Sequence, residues 1–317
     1  MLRLILVRLG TAVITVWLAS LLVFIAVQAL PGDVAQQILG QDATPEALAA
    51  MRESMGLNQP IAERYVDWLG GMLTGNFGES LVSGEPVAGT LLVHARNTLL
   101  LALPTIIIGI TLSVVLGLLA GLYRDRAADR TISGLALIGM SVPEFVTATV
   151  LVLVFAIAIP IFPAVVIDGA QATVGELLPF TILPVIVLTI SMAAYIIRMT
   201  RAGVIDAMAS EFVTTAHLKG VRPRQVVLRH ALPSAILPTL NVIAINIAWL
   251  IGGVVVVEAV FNYPGMGTLM IESVHNRDLP VIQAIAVLSA SVYALTNLGA
   301  DLVAMLLDPR QRSGRAH

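Results

Sequence analysis

Three sets of polar residues stand in an otherwise apolar chain, and each would do a different kind of chemistry. Glu144, in the string Ser141-Val142-Pro143-Glu144-Phe145, is the single charge between Thr131 and Ile167. An ionisable group in such a run is costly. It serves either to meet a cation on a pathway or, protonated, to bridge packed helices by a hydrogen bond. Asn241, Asn246 and Asn297 are amides of the type that joins neighbouring spans. Glu258 precedes a Pro-Gly-Met-Gly turn, and Asp301 lies four residues after Asn297. These six residues are the pathway and gate candidates. The third set lies in a basic, polar stretch from Arg198 to Pro238: Glu211, Thr215, Ala216, His217, Lys219, Gly220 and Arg222. Covalent chemistry has little to work with. Cysteine is absent, which removes disulfides, thiolate metal sites and thiol nucleophiles. His94, His217, His230, His275 and His317 are scattered, with no carboxylate at metal-ligand spacing on a shared helix. No G-x-x-x-x-G-K-[ST] string occurs, so any nucleotide site belongs to another polypeptide. The expectation is a chain with no catalytic residues, no metal and no cofactor of its own.

The elements that hold these residues are set by composition. The 317 residues are 57% apolar and 12% charged, against roughly 45–50% apolar and 25% charged in soluble domains. Spans are expected at 9–30, 97–123, 132–160, 177–200, 233–257 and 279–307, since about 20 apolar residues cross the hydrocarbon. The first is read as an uncleaved span, because the apolar run after the basic Met1–Gly10 start is long and has no A-x-A exit. Of the 18 Arg and Lys residues, 14 fall in the N-terminus, in the segments after the second and fourth spans, and in the tail, leaving Arg52, Arg64, Arg96 and Arg277 on the other side. That asymmetry places residues 1–8, the 201–232 hairpin and the 308–317 tail in the cytoplasm. Arg310, Arg312 and Arg315 then read as topology determinants or contacts to anionic lipid, not as a nucleic-acid site.

Two polar segments have local order. In the 31–96 loop, Thr44 and Pro45 can open one helix that ends near Gly56, and Pro60 a second that carries Ile61, Tyr65, Trp68 and Leu69 and stops at Gly70 and Gly71. The loop from Asp33 to Ala95 holds eight acids against Arg52 and Arg64. It is either an acidic docking surface or a small domain kept soluble by the charges that outside loops retain. In the hairpin, Ile205, Met208, Phe212 and Ala216 fall on one helical stripe, Gly220 ends the helix, and Pro223 starts the next after Arg222.

The string Glu211-Phe-Val-Thr-Thr-Ala-His-Leu-Lys-Gly220, followed by Ile236-Leu-Pro238, resembles the cytoplasmic E-A-A-x3-G loop of the membrane subunits of binding-protein-dependent ABC importers. Its form is similar to the dipeptide/oligopeptide/nickel permease branch. Other pieces agree in order: Pro31 to Asp33, Met55 to Pro60, Gly75 to Ser80, Glu258 to Gly267 and Asp308 to Arg310. His217 and Leu218 depart from the more usual Arg and Ala. The resemblance implies an all-α integral membrane protein with six transmembrane helices of the type I ABC importer fold, and a small helical extracytoplasmic domain between helices 1 and 2. It implies a 258–278 gate loop, a bacterial plasma (inner) membrane location, and coupling to ATPase subunits through Glu211, Thr215, Ala216, His217, Lys219, Gly220 and Arg222. The implied partners are a homologous second permease chain in a heterodimer, two ATPase subunits or domains that bind ATP and Mg, an extracytoplasmic substrate-binding protein, and membrane lipid. The implied cargo is di- and oligopeptides, with nickel chelates, glutathione or oligosaccharides as alternatives. A secondary transporter would be expected to carry an inverted repeat, which the sequence does not display. A membrane enzyme would need a nucleophile or acid–base constellation.

Overall fold

The computed structural model describes residues 2–29, 36, 39, 43–54, 56, 58–167 and 169–307. Among them the chain forms α1 (Leu2–Gln28), α2 (Pro45–Ser54), α3 (Ile61–Leu73), α4 (Val87–Leu122), α5 (Ala127–Ser141), α6 (Glu144–Val152), α7 (Val174–Met208), α8 (Glu211–Leu218), α9 (Pro223–Val226), α10 (Leu232–Phe261), α11 (Met266–Asn276) and α12 (Leu279–Leu307), with π-helical turns at Leu153–Ala158 and Val227–Ala231. Four helices, α1, α4, α7 and α12, are long and apolar enough to cross a membrane, and three bent pairs pass the same test together. The protein is an all-helical membrane protein with four to seven candidate spans. The Pro31–Asp33 and Asp308–Arg310 strings and the tail arginines lie outside the described residues, as do Met55 and Leu57.

The chain divides into two compact units, one built from Met1–Leu9, His94–Thr268 and Leu295–His317, the other from Gly10–Val93 and Leu269–Ala294. The first is organised on α7. A capping box starts this helix: Thr173 Oγ1 accepts from the Glu176 N–H, and Glu176 Oε2 accepts from the Thr173 N–H at 2.6 Å. Leu183 and Leu188 of α7 then pack with Leu101 of α4, Ala148 of α6 and Leu250, Val254 and Phe261 of α10.

Small residues bring α4 onto α7. Gly109, Ser113, Gly117 and Gly121 recur every fourth residue, the spacing that lets two backbones approach in lipid. A Cβ on Gly117 would sit 2.6 Å from Thr200 Cβ and 2.8 Å from the Ile197 carbonyl oxygen, and one on Gly121 would sit 2.7 Å from Val204 Cβ. Gly117→Ala should therefore lower stability by about 1–3 kcal/mol through overpacking. Gly89→Ala in the same helix, where nothing lies within 4 Å of the new carbon, should not. Thermal unfolding of the two variants in detergent measures the difference.

The segment expected as a span at 132–160 is not straight, because α5 and the helical segment beginning at Glu144 meet at 103°. Pro143 favours this break: proline disfavours the α region for the residue before it, and Val142 is extended at φ −93°, ψ 124°.

In the second unit, Phe24 of α1 packs against Tyr65 and Trp68 of α3 at ring-centroid distances of 5.3 and 5.4 Å, and the Ser20 hydroxyl lies 2.9 Å from the Tyr65 hydroxyl. The Thr44 side chain accepts from the Ala47 N–H as α2 begins. Two expectations need correction. Ile61 is exposed rather than packed with Tyr65, and α3 does not stop at Gly70 and Gly71 but runs to Leu73. The chain reverses at Gly75 instead, at φ +82°, and Gly71 gives the returning Asn76 carbonyl room, since a Cβ there would meet it at 3.0 Å. Further along the same loop, Ser80 donates to the buried Asp278 carboxylate, which also accepts from the Leu81 N–H at 3.1 Å. The Gly75–Ser80 string thus fastens the loop to the start of α12.

Candidate functional site

The polar hairpin has the most distinctive sequence in the chain. The sequence predicts a single helix up to Gly220, with Ile205, Met208, Phe212 and Ala216 on one stripe. Instead α7 ends at Met208, Ala209 and Ser210 intervene, and α8 starts at Glu211. The Ser210 side chain donates to the Ala207 carbonyl while its own carbonyl accepts from the Thr214 N–H, so serine closes one helix and opens the next. The break rotates α8, so that Val213 and Ala216 are the buried positions and Phe212 is exposed. Val213 and Ala216 join Val204 and Ala207 of α7, Ala231 of the π-helical turn and Ala235 of α10 in one apolar cluster. Gly203 brings the helices themselves together, since a Cβ there would sit 2.7 Å from the Ala235 carbonyl oxygen.

Glu211, Thr215, Lys219, Gly220 and Arg222 remain exposed on the outer side, together with Leu218, which is 84% exposed. His217 is in α8. The turn is closed by the Val221 N–H donating to the Ala216 carbonyl, with Gly220 at φ +76°, a conformation that costs glycine little. Arg222 is held extended by Pro223. This arrangement is a short helix whose inner side packs against two long helices and whose outer side is exposed.

Beside it stands an ion pair that the sequence reading missed. Asp129, 2% exposed, accepts from Arg201 Nε at 2.6 Å and from an Arg201 terminal nitrogen at 2.7 Å, and also from the Asp125 N–H and the Ser133 hydroxyl. In the sequence Arg201 is one of the 14 basic residues of the asymmetry, and Asp129 lies in a string of mixed charges, Arg124-Asp-Arg-Ala-Ala-Asp-Arg130. The one local sign was Ser133, four residues on and one helical turn away.

Glu258 is fully buried. Its carboxylate accepts from the Thr98 hydroxyl at 2.7 Å, from the Gly267 N–H at 2.7 Å and from the Thr268 N–H at 3.3 Å. It therefore caps the start of α11 from within α10, satisfying amides that a helix start leaves without partners. Gly265 and Gly267 are required by this closeness, because a Cβ on either would run into the carboxylate. Asn262 makes the turn in the left-handed region at φ 46°. Asn97, also buried, donates to the carbonyls of Pro264 at 2.8 Å and Ala170 at 3.2 Å, and its own carbonyl accepts from the Tyr263 hydroxyl. Asn97 and Thr98 lie at the edge of the expected 97–123 span, where nothing in the sequence marks these contacts.

Glu144 is placed very differently. It opens α6 directly after the Pro143 break and borders a cavity of about 400 Å³. Its Oε1 is buried with no hydrogen-bond partner among the described residues. The other candidates do not join it. Asn241 is exposed, Asn246 turns back onto the Val242 carbonyl of its own helix at 2.8 Å, and Asp301 pairs with Arg8 at 2.9 Å. Asn297 is half-buried in α12.

Comparison with known proteins agrees with this anatomy. Residues 113–313 match the family described as "Binding-protein-dependent transport system inner membrane component", and residues 1–105 match its N-terminal companion. The chain belongs to this family of ABC importer permeases. The permease is 36% identical over 305 residues to the "Probable peptide ABC transporter permease protein y4tP" of Sinorhizobium fredii, covering 96% of this chain and 97% of that one. It is 34% identical over 312 residues to the "Glutathione transport system permease protein GsiC" of Escherichia coli K12, covering 98% and 99%. A solved structure of the MetNI methionine ABC transporter, at 18% identity, superposes with a TM-score of 0.57 over 69% of the permease and 97% of that chain, which fixes the fold. The permease is thus a multi-pass inner-membrane component of an ABC importer, a system with ATPase and binding-protein partners.

Proposed function

We propose that this permease imports peptides, forming half of a translocation pathway whose other half is a homologous second permease chain in a heterodimer. Two ATPase subunits or domains bind ATP and Mg and grip the α8–α9 hairpin. An extracytoplasmic binding protein delivers the cargo, and both termini of the permease are cytoplasmic. One observation carries the coupling role: α8 is exposed through Glu211, Phe212, Thr215 and Leu218 while Val213 and Ala216 anchor it to α7 and α10. A push on the outer side is thereby passed to two long helices. Lys219, Gly220 and Arg222 shape the exit from α8, and Ala216 and His217 complete its motif. The Glu258–Thr98–Gly267 cage is assigned to the outer gate, Asn297 to helix packing and Asp301 to its ion pair with Arg8, while Asn246, which bonds within its own helix, and the exposed Asn241 receive no pathway role. Peptide cargo is supported by the name of the Sinorhizobium relative, and the second reading, glutathione, by that of the Escherichia coli relative.

The test is the hairpin. Glu211→Ala and Gly220→Pro should leave the permease in the membrane, yet reduce ATPase co-purification or peptide-stimulated ATP hydrolysis about tenfold or more. For proline at 220 the reason is geometric, since its φ is locked near −65° where the chain has +76°. Normal stimulated hydrolysis in both variants would refute the coupling role.

A further inference from the structure

Glu144 and Glu258 are two carboxylates of one fold with opposite surroundings. Glu258 is saturated by a hydroxyl and two backbone N–H groups, as a carboxylate kept for structure should be. Glu144 has a buried oxygen with no such partner among the described residues, and it borders a cavity of about 400 Å³ at the point where Pro143 interrupts the span. A broken helix at membrane depth is tolerated where it lines a cavity. The volume lies in the range of small-molecule sites.

The walls say what the cavity would take. Phe145, Tyr195 and Trp249 line it, Ser191 adds a hydroxyl, and among the described residues no Lys, Arg or His does so. Glu144 is the one carboxylate among the lining residues. A lone acid among three aromatic side chains has the chemistry of a receptor for a compact cation, pairing charge with charge and offering ring quadrupoles to the rest of the ion. Gly253 keeps the acid accessible, because a Cβ there would sit 3.2 Å from Glu144 Oε2 and 3.2 Å from the Trp249 ring.

We infer that this cavity is a subsite for the primary ammonium group of the cargo in transit, with Glu144 as the counter-charge. The inference rests on the import reading above and narrows it: peptides and glutathione share a free amine, and the subsite recognises that amine rather than the side chains that follow. Three N–H donors on an ammonium match the unfilled acceptor capacity of one carboxylate.

The assembled complex of both permease chains and the ATPases, in nanodiscs without binding protein, should bind radiolabelled alanyl-phenylalanine at least tenfold more tightly than N-acetyl-alanyl-phenylalanine. Glu144→Gln should erase that preference, and Glu144→Asp should keep part of it. Co-purification of the Gln variant with the second permease chain and the ATPases, together with an unchanged thermal unfolding midpoint of the complex, shows that it is folded and assembled. The inference is overturned if the acetylated peptide competes equally, if the Gln variant keeps the preference, or if a complex that transports the free peptide in proteoliposomes shows no binding of it. The last result would follow if a cation from the second permease chain already occupied Glu144. A complex that takes up no peptide, yet binds the free amine in a Glu144-dependent way, refutes peptide import and leaves the ammonium subsite standing.

Discussion

Arg201→Ala should be among the most damaging single substitutions in this permease, and Asp129→Ala/Arg201→Met together should be milder than Arg201→Ala alone. Asp129 is 2% exposed and takes two charge-assisted hydrogen bonds from the guanidinium, at 2.6 and 2.7 Å. Removing the arginine leaves a buried carboxylate with only the Asp125 N–H and the Ser133 hydroxyl. Breaking a buried pair on one side costs about 3–5 kcal/mol, whereas replacing both members with apolar side chains of similar volume is often neutral. Arg201→Lys should fall between, because an ammonium cannot reproduce the two-pronged contact. Thermal unfolding and membrane abundance of the four proteins measure the order, and a double variant worse than Arg201→Ala would sink the argument. The pair also joins α5 to α7 near the apolar cluster that holds α8, so if α8 couples the ATPases as proposed, surviving single variants should show ATP hydrolysis less dependent on cargo than the parent.

What the sequence could show, and what it could not, divides along one physical line. Helices in lipid announce themselves through long apolar runs, and α1, α4, α7 and α12 were legible for that reason. The positive turn at Gly220 and the proline start at Pro223 were legible because those residue types fit few backbone states. Interruptions decided by side-chain hydrogen bonds were not. Ser210 divides α7 from α8 through bonds within three or four residues that many serines do not make. As a result the expected single stripe of Ile205, Met208, Phe212 and Ala216 is split, with Ala216 buried and Phe212 exposed. Contacts between residues far apart in the chain were hidden altogether. Nothing local links Asp129 to Arg201, Asn97 to Pro264, or Ser80 to Asp278. The candidate residues were sorted only once these contacts were known, because Glu144, Glu258, Asn246 and Asp301 look alike in a hydropathy profile and differ in what surrounds them.

The same contrast sets the second large expectation. Glu258→Ala should cost more than Glu258→Gln, and both should cost more than Glu144→Gln. Alanine at 258 leaves the Gly267 and Thr268 N–H groups and the Thr98 hydroxyl without their acceptor in a fully buried place, at about 1–3 kcal/mol for each unsatisfied group. Glutamine keeps one acceptor oxygen and sets an NH₂ where the cage offers donors, so part of the loss returns. Gly265→Ala attacks the cage from the other side by placing a carbon where the carboxylate lies. It should match Glu258→Ala in thermal unfolding and not add to it in the double variant, since both destroy one contact set. Additive losses would show that Gly265 and Glu258 act apart. The turn between α10 and α11 would then need another support than the carboxylate, and the Glu258 to Gly267 string another explanation than the space one carboxylate demands.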